Sequence, residues 1–363
     1  MDTSDHDIVF DGAGVCNHCR RYEERARTEL FRGADGEARL RALAQRVKAE
    51  GQGKDYDCVI GLSGGADSTM VAYTVRRLGL RALAVHMDNG WDSELAVQNI
   101  ENAVKALGID LYTHVVDWAE FKDLHLSFLK ASVANSEIPT DHAIVAILYR
   151  MAARIGTRYI MSGGNIVTEG VMPAGWMYES TDFKHLKAIH RRFGSRPLTT
   201  FPHFSLADFA FWTFVKRIRF IPILNCVEYV REDAAALLKR EVDWRDYGAK
   251  HYESIYTRFF QGYILPRKFG IDKRRAHFSS LICSGQMSRA TALEELTADP
   301  CLPEQVAQDK EYVLKKLGLS DTEFDAIMTA PPRSFRDYPS HHLVFRRMPA
   351  VLKLVRRVAT GRR

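Results

Sequence analysis

The run Val59-Ile60-Gly61-Leu62-Ser63-Gly64-Gly65-Ala66-Asp67-Ser68 decides how the rest of this 363-residue chain is read. Residues 56–62 are short, β-branched and apolar, and residues 69–78 have the character of a helix. An apolar strand, a glycine turn and a helix together make a place to hold phosphate. Glycines let the backbone approach an anion closely, and the helix start offers unpaired N–H groups and the positive end of its dipole. Ser63, Ser68 and Thr69 add hydroxyl donors, and Asp67 is placed to reach a bound Mg²⁺. No Gly-Lys-Ser/Thr follows, so the loop is not a Walker A, and its spacing is not Gly-x-Gly-x-x-Gly.

Outward from this loop, apolar strands alternate with helical stretches. Residues 58–62, 80–86, 109–116 and 158–162 read as strands, and 93–107 and 139–155 as helices. The alternation predicts a parallel α/β sheet flanked by helices, whose ligands collect outside the strand C-terminal ends. Leu62, Ser63, Gly64, Gly65, Asp67 and Ser68 end the first strand. The second ends in His86-Met87-Asp88-Asn89-Gly90-Trp91, where His86, Asp88 and Asn89 are candidates for contact with a bound ligand. Trp91 is either a cover for a base or sugar or part of an Asp-Asn-Gly turn. The fourth strand ends in Gly163-Gly164-Asn165, with Glu169 following. Thr140 and Asp141 either cap a helix or face the same phosphate and metal.

Composition is that of a globular chain, 46% apolar and 26% charged. The acidic, polar start does not read as a signal peptide, and the most apolar window, 204–224, carries Asp208, Lys216, Arg217 and Arg219, so no span is expected. Six scattered cysteines suit a reducing cytoplasm better than a disulfide scaffold. The net charge of +6 belongs to one end: residues 333–363 hold nine Lys/Arg and one Asp, which leaves −2 for the rest. A near-neutral body argues against a nucleic-acid partner.

Three regions are expected. Residues 1–35 carry Cys16-Asn17-His18-Cys19, either half of a structural zinc site or a pair of reduced thiols. Residues 36–200 form the nucleotide-binding domain. Residues 201–363 lose the alternation and read as a helical region with a basic tail. Its aromatics between 201 and 220 make either a helical layer or a docking face. Lys268, Lys273, Arg274 and Arg275 are candidates for the anionic groups of a substrate, or else a solvated basic face. The stretch after Pro349 is a basic amphipathic helix suited to a membrane surface, or a solvated tail.

The Ser-Gly-Gly-x-Asp-Ser loop with its preceding strand resembles the PP-loop of ATP pyrophosphatases, with their adenine-nucleotide alpha-hydrolase-like fold. Further stretches narrow the likeness. Phe10-Asp11-Gly12 to Cys19, the 86–91 segment, Gly163-Gly164-Asn165-Ile166-Val167-Thr168-Glu169-Gly170, Ile189-His190 to Phe193-Gly194, and Lys268-Phe269-Gly270-Ile271-Asp272-Lys273-Arg274-Arg275-Ala276-His277 together resemble the N-acetyl sugar amidotransferases of the WbpG and PseA type. The resemblance covers roughly residues 7–340. It implies an earlier Cys-x-x-Cys pair that this sequence does not show, so Cys16 and Cys19 are half of that site.

The resemblance implies a reaction. ATP with Mg²⁺ adenylates the acetamido oxygen of a nucleotide-activated N-acetyl sugar, pyrophosphate leaves, and ammonia displaces AMP from the O-adenylyl imidate to give an acetamidino group. This belongs to O-antigen (lipopolysaccharide) or flagellar sugar biosynthesis. Ser63, Asp67, Asp141 and Glu169 are the catalytic candidates. No cysteine sits where a glutaminase nucleophile would, so ammonia is expected from a separate glutaminase and barrel-synthase pair. Two rivals stay open: a PP-loop tRNA thiolation enzyme, and a non-catalytic nucleotide-binding module.

Overall fold

The computed structural model describes residues 1–248 and 250–345. Five strands, β1 (Cys58–Gly61), β2 (Ala82–Asp88), β3 (Asp110–Val115), β4 (Tyr159–Ser162) and β5 (Arg219–Pro222), form one parallel sheet in the order β3-β2-β1-β4-β5. Side chains alternate across each strand, and that alternation builds two cores. Val59, Leu83, Val85, Met87 and Ile160 enter one of them. Cys58, Ile60, Ala82, Ala84, Tyr159 and Met161 enter the other. Because both faces are covered, the central strands are apolar up to their C-terminal ends, where β2 brings in His86 and Asp88.

The connecting helices follow from their end signals. After α1 (Asn17–Glu29) and α2 (Gly33–Glu50), α3 (Ala66–Arg77) begins directly from the glycine turn. Its N-cap is Gly65, which makes no side-chain cap bond, so no capping side chain occupies the first N–H groups of the helix. Ser93 caps α4 (Glu94–Leu107), which ends at Gly108 with φ of 58°. α5 (Trp118–Ala131) is capped by Asp117. α6 (Ile138–Arg154) starts after Glu137 with Pro139 in its first turn. Thr140 and Asp141 therefore lie inside that helix, which corrects the capping alternative for them.

Downstream come α7 (Ile166–Glu169), α8 (Phe183–Phe193) and α9 (Leu206–Ala210). Strand β5 lies in the segment expected to be purely helical, so the boundary expected at residue 200 falls before the last strand of the sheet. The strand is only four residues long and follows a wide helical turn, Phe211–Val215, so no period-2 signal develops. Next are α10 (Arg231–Val242), α11 (Ile255–Phe259), a ten-residue π-helix (Phe260–Phe269), α12 (Arg274–Cys283), α13 (Arg289–Glu295), α14 (Pro303–Leu317) and α15 (Asp321–Thr329). No helix among the described residues is long and apolar enough to cross a membrane. The tail after residue 345, with the amphipathic stretch expected beyond Pro349, lies outside the described residues.

Helix α1 packs on α7 and α12. Tyr22 is buried with Ile166 and Val171, and a Cβ on Gly170 would sit 2.6 Å from the Tyr22 ring. Only glycine allows that approach. The N-terminal knuckle thus rests on the short helix that carries Thr168 and Glu169.

Candidate active site

The strand order reverses at β1, which has β2 on one side and β4 on the other. This is the switch point where a doubly wound sheet opens a crevice at its C-terminal edge. The loops after β1 and β4 meet there so tightly that a Cβ on Gly163 would lie 3.2 Å from the Asp67 backbone. Gly64 has φ of 80°, and a Cβ on it would lie 2.4 Å from the Ala96 carbonyl oxygen. Any larger residue would push the loop off α4. The Gly64 carbonyl is pinned by the Trp244 indole N–H at 2.9 Å. Ser68 Oγ receives the Ser63 N–H at 3.2 Å, lies 3.2 Å from Ser63 Oγ, and donates to the Gly65 carbonyl at 3.0 Å. The hydroxyls are held in place around the start of α3.

A cavity of about 650 Å³ lies over this loop. Leu62, Ser63 and Ser68 line it from β1, His86 and Asn89 from β2, and Gly163, Gly164 and Glu169 from β4 onward. Asp141 and Glu137 line it from α6. Gly65 and Asp67 open onto an adjoining cleft of about 170 Å³ that shares Ser63, Ser68, Gly163 and Glu169. The expected loop and strand-end residues therefore converge. Three do not reach the cavity as side chains. Asp88 accepts the Gly90 N–H at 2.9 Å in a turn. Gly64 faces α4, and Asn165 is buried as the N-cap of α7, accepting the Thr168 N–H at 2.9 Å.

Trp91 is a correction. It is 1% exposed and packs against Trp118, Tyr256 and His125, with Lys316 Nζ 5.0 Å from its ring centre. The chain after β2 turns inward here, and the largest apolar side chain fills the core instead of covering a ligand.

The side chains that complete the site come from 229–277, and reading the sequence singled out few of them. Lys250 Nζ lies 2.9 Å from Asp67, 2.9 Å from Glu169 and 2.7 Å from the Thr168 hydroxyl. Tyr229 donates its hydroxyl to Asp67, and the Ala66 N–H donates to the Tyr247 hydroxyl at 3.3 Å. Burial pushes the Asp67 carboxyl up, but the Lys250 charge and the Tyr229 hydroxyl outweigh it and hold it below its ordinary value. Burial likewise disfavours charge on Lys250, and Asp67 and Glu169 overcome it. His251 lies 3.7 Å from Glu169 and 3.9 Å from Glu253. Burial opposes its charge, while Glu253 raises its pKa above the usual value.

On the α6 side, Glu137 accepts from Lys273 Nζ at 3.1 Å and from Gln261 Nε2 at 3.0 Å. Asp141, one helical turn on, is pushed up to about 7 by burial and by the neighbouring Glu137 charge. The four cations proposed for substrate anions are placed differently from one another. Lys273 lines the main cavity but is committed to Glu137. Arg274 lines a neighbouring cavity of about 380 Å³ and forks onto Asp272 and the carbonyls of Glu295 and Ala298. Arg275 pairs with Asp2, and Lys268 donates to the Ile327 carbonyl. Of the four, Lys273 alone lines the main cavity, and Arg275 keeps a third of its side chain in solvent.

In the knuckle, the Cys16 and Cys19 sulfurs are 3.5 Å apart, and Cys283 of α12 brings its sulfur within 4.0 Å of Cys19. His18 points away to Asp5 at 2.6 Å. Among the described residues no group of three or more His, Cys, Asp or Glu is arranged to hold a metal ion. The structure therefore gives the zinc expectation no support, and the contacts that hold the knuckle are its packing on α7 and α12 and the His18–Asp5 bond.

Two family models match separate stretches of the chain. The NAD synthase family model matches residues 37–158. The model described as "LPS biosynthesis protein WbpG-like, C-terminal domain" matches residues 253–352. No curated protein matches the chain. Similar solved structures include an NMN synthetase from Francisella tularensis, at 16% identity and TM-score 0.41, covering 79% of this chain and 98% of that one. An NH3-dependent NAD synthetase from Campylobacter jejuni has 15% identity and TM-score 0.35, with 79% and 97% covered. A predicted tRNA methyltransferase subunit from Methanocaldococcus jannaschii has 15% identity and TM-score 0.28, with 50% and 74% covered. The chain thus joins a PP-loop domain of the NAD synthase kind to the C-terminal domain of WbpG-like lipopolysaccharide biosynthesis proteins.

Proposed function

We propose that the protein is an ATP-dependent amidotransferase that converts an acetamido group of a nucleotide-activated N-acetyl sugar into an acetamidino group. One observation carries this reading. Glu253, Gln261, Lys273 and His277, all within the WbpG-like match, line the same cavity as the phosphate loop of the NAD synthase-like match. The sugar-pathway domain is part of the ATP site rather than an appendage to it.

An acetamide resists amines because its carbonyl is a weak electrophile and its oxygen a poor leaving group. Attack of the amide oxygen on the α-phosphorus of ATP cures both faults, releasing pyrophosphate and leaving an O-adenylyl imidate. Ser63, Ser68 and the uncapped start of α3 are suited to bind pyrophosphate. Lys250 is placed to neutralise charge that develops there. Asp67, held ionised, and Glu169 suit Mg²⁺, which would supply further neutralisation of the phosphates. His86 and Asn89 lie where the nucleoside would extend. Asp141 stands on the opposite wall, suited to orient the acetamido group and to take a proton, with the paired Glu137 beside it.

The chain itself offers no glutaminase nucleophile, so a separate glutaminase and synthase pair is the proposed ammonia source. The test is direct. Purified protein is given ATP, Mg²⁺, ammonium chloride and a panel of nucleotide sugars bearing N-acetyl groups. AMP release should require the sugar, and mass spectrometry should show an oxygen replaced by NH. AMP release driven by RNA, or none with any sugar, would reject the reading.

A further inference from the structure

An O-adenylyl imidate hydrolyses back to the acetamide if water meets it before ammonia does. A nucleophile arriving through the same mouth as the nucleotide would share its path with bulk solvent. The neighbouring cavity of about 380 Å³ offers another path. It lies behind three side chains, Gln261, Lys273 and His277, that line both it and the main cavity. Glu137 fixes two of the three through the bonds to Gln261 and Lys273, which are each 9% exposed. The partition is thus thin, polar and held shut by one carboxylate.

We infer that this second cavity is the entrance by which ammonia reaches the imidate, an inference that rests on the amidotransferase reading above. Its outer rim carries the exposed carboxylates Glu295 and Asp299, which attract ammonium, while the Arg274 charge beside them is paired with Asp272. The rest of its charged lining is cationic, Arg231, Lys250 and Lys273, and the carboxylates that pair the two lysines lie outside it, so neutral ammonia is the species that crosses. Burial and the nearby charges of His251, Lys250 and Lys273 hold the His277 imidazole neutral, so it accepts a hydrogen bond and adds no further positive charge. Past the partition, the ammonia nitrogen bonds to the imidate carbon of the protonated imidate. The bond from that carbon to the AMP oxygen breaks with its electron pair on the oxygen. The one proton that ammonia gives up passes to the departing phosphate, and the amidinium keeps the positive charge.

Met287 and Ala298 line the second cavity and not the main one, and Ala298 is exposed. Met287→Trp and Ala298→Trp in the full chain should narrow the path. Exchange of labelled pyrophosphate into ATP, run with sugar but without ammonium, should match the unmodified protein, as should KM for ATP and sugar. KM for ammonium chloride at fixed pH should rise roughly tenfold or more. The exposed Ala298 position keeps the test open if Met287→Trp fails to fold. An unchanged KM for ammonium in a variant with normal exchange overturns the entrance. Absence of exchange in the unmodified protein overturns the amidotransferase reading instead, and the entrance with it.

Discussion

The two walls of the main cavity are built from different materials. The loop after β1 offers backbone N–H groups and hydroxyls, held by neutral hydrogen bonds such as Ser63 to Ser68 and the Trp244 indole to Gly64. The facing wall, from 250 to 277, offers ionised side chains already paired: Lys250 with Asp67 and Glu169, and Lys273 with Glu137. The first wall is complete before a ligand arrives. The second must exchange partners as phosphates enter, because each cation there already compensates a buried carboxylate. Neutral preorganisation stabilises a bound anion without first breaking a contact, whereas paired charges couple binding to rearrangement.

Asp67 is where the two walls touch, so its removal should have the largest effect. Asp67→Ala frees Lys250, leaves the Tyr229 hydroxyl without its acceptor and removes the ionised carboxylate proposed above for Mg²⁺. We expect kcat for AMP release to fall by at least about a hundredfold. Normal turnover in that variant would remove the loop from the mechanism.

Breaking the paired wall on its α6 side should register mainly as stability. Lys273→Met strands Glu137 in a largely buried position with Gln261 as its remaining donor, at a cost of about 3 kcal/mol. Lys273→Met combined with Glu137→Gln should recover part of that loss in denaturant unfolding. A single variant as stable as the unmodified protein would show the pair to be solvated.

Asp141 should make the same wall sensitive to pH. Its carboxyl titrates near 7 in the folded protein and near 3.8 when unfolded, so between about pH 4 and pH 7 the native state keeps a proton the unfolded chain has lost. Its contribution is fully present below about pH 4 and is lost as pH rises through 7. Asp141→Asn should flatten the fall in Tm across that window. Parallel profiles for the two proteins would contradict the buried assignment.

How far the site could be read in advance follows from the same contrast. The phosphate loop is contiguous, its glycines have a conformational reason, and the strand before it is apolar, so residues 59–68 declare themselves. The β2 and β4 ends followed from the alternation. Lys250 gave no such signal, since a lone lysine between Gly248 and His251 looks solvated until the fold sets it 183 residues away against Asp67. Trp91 misled because an aromatic after a strand suits a ligand and a core equally well, and only packing decides. Strand β5 was hidden by its brevity. The cation-rich run 268–275 had the composition of an anion site, but its carboxylate and carbonyl partners are mostly distant in sequence: Asp2, Glu137, Glu295 and Ile327.

That run supplies the smallest expected effect. Arg275 pairs with Asp2 at the protein surface, with 34% and 43% of the two side chains exposed. Such pairs contribute about 0–1 kcal/mol, because water screens the attraction and two flexible chains must be ordered to make it. The residue lines neither the main cavity nor the neighbouring one. Arg275→Ala should therefore leave KM for ATP and for the sugar unchanged and move stability by less than about 1 kcal/mol. Lys273, two residues earlier, shares the same charge and the same stretch of sequence, yet it is 9% exposed and lines both cavities. Measured side by side, the two substitutions separate a cation that faces solvent from one that builds the wall. If Arg275→Ala raised KM for either substrate about tenfold, a shift worth roughly 1.4 kcal/mol, the substrate path would have to include the N-terminal knuckle.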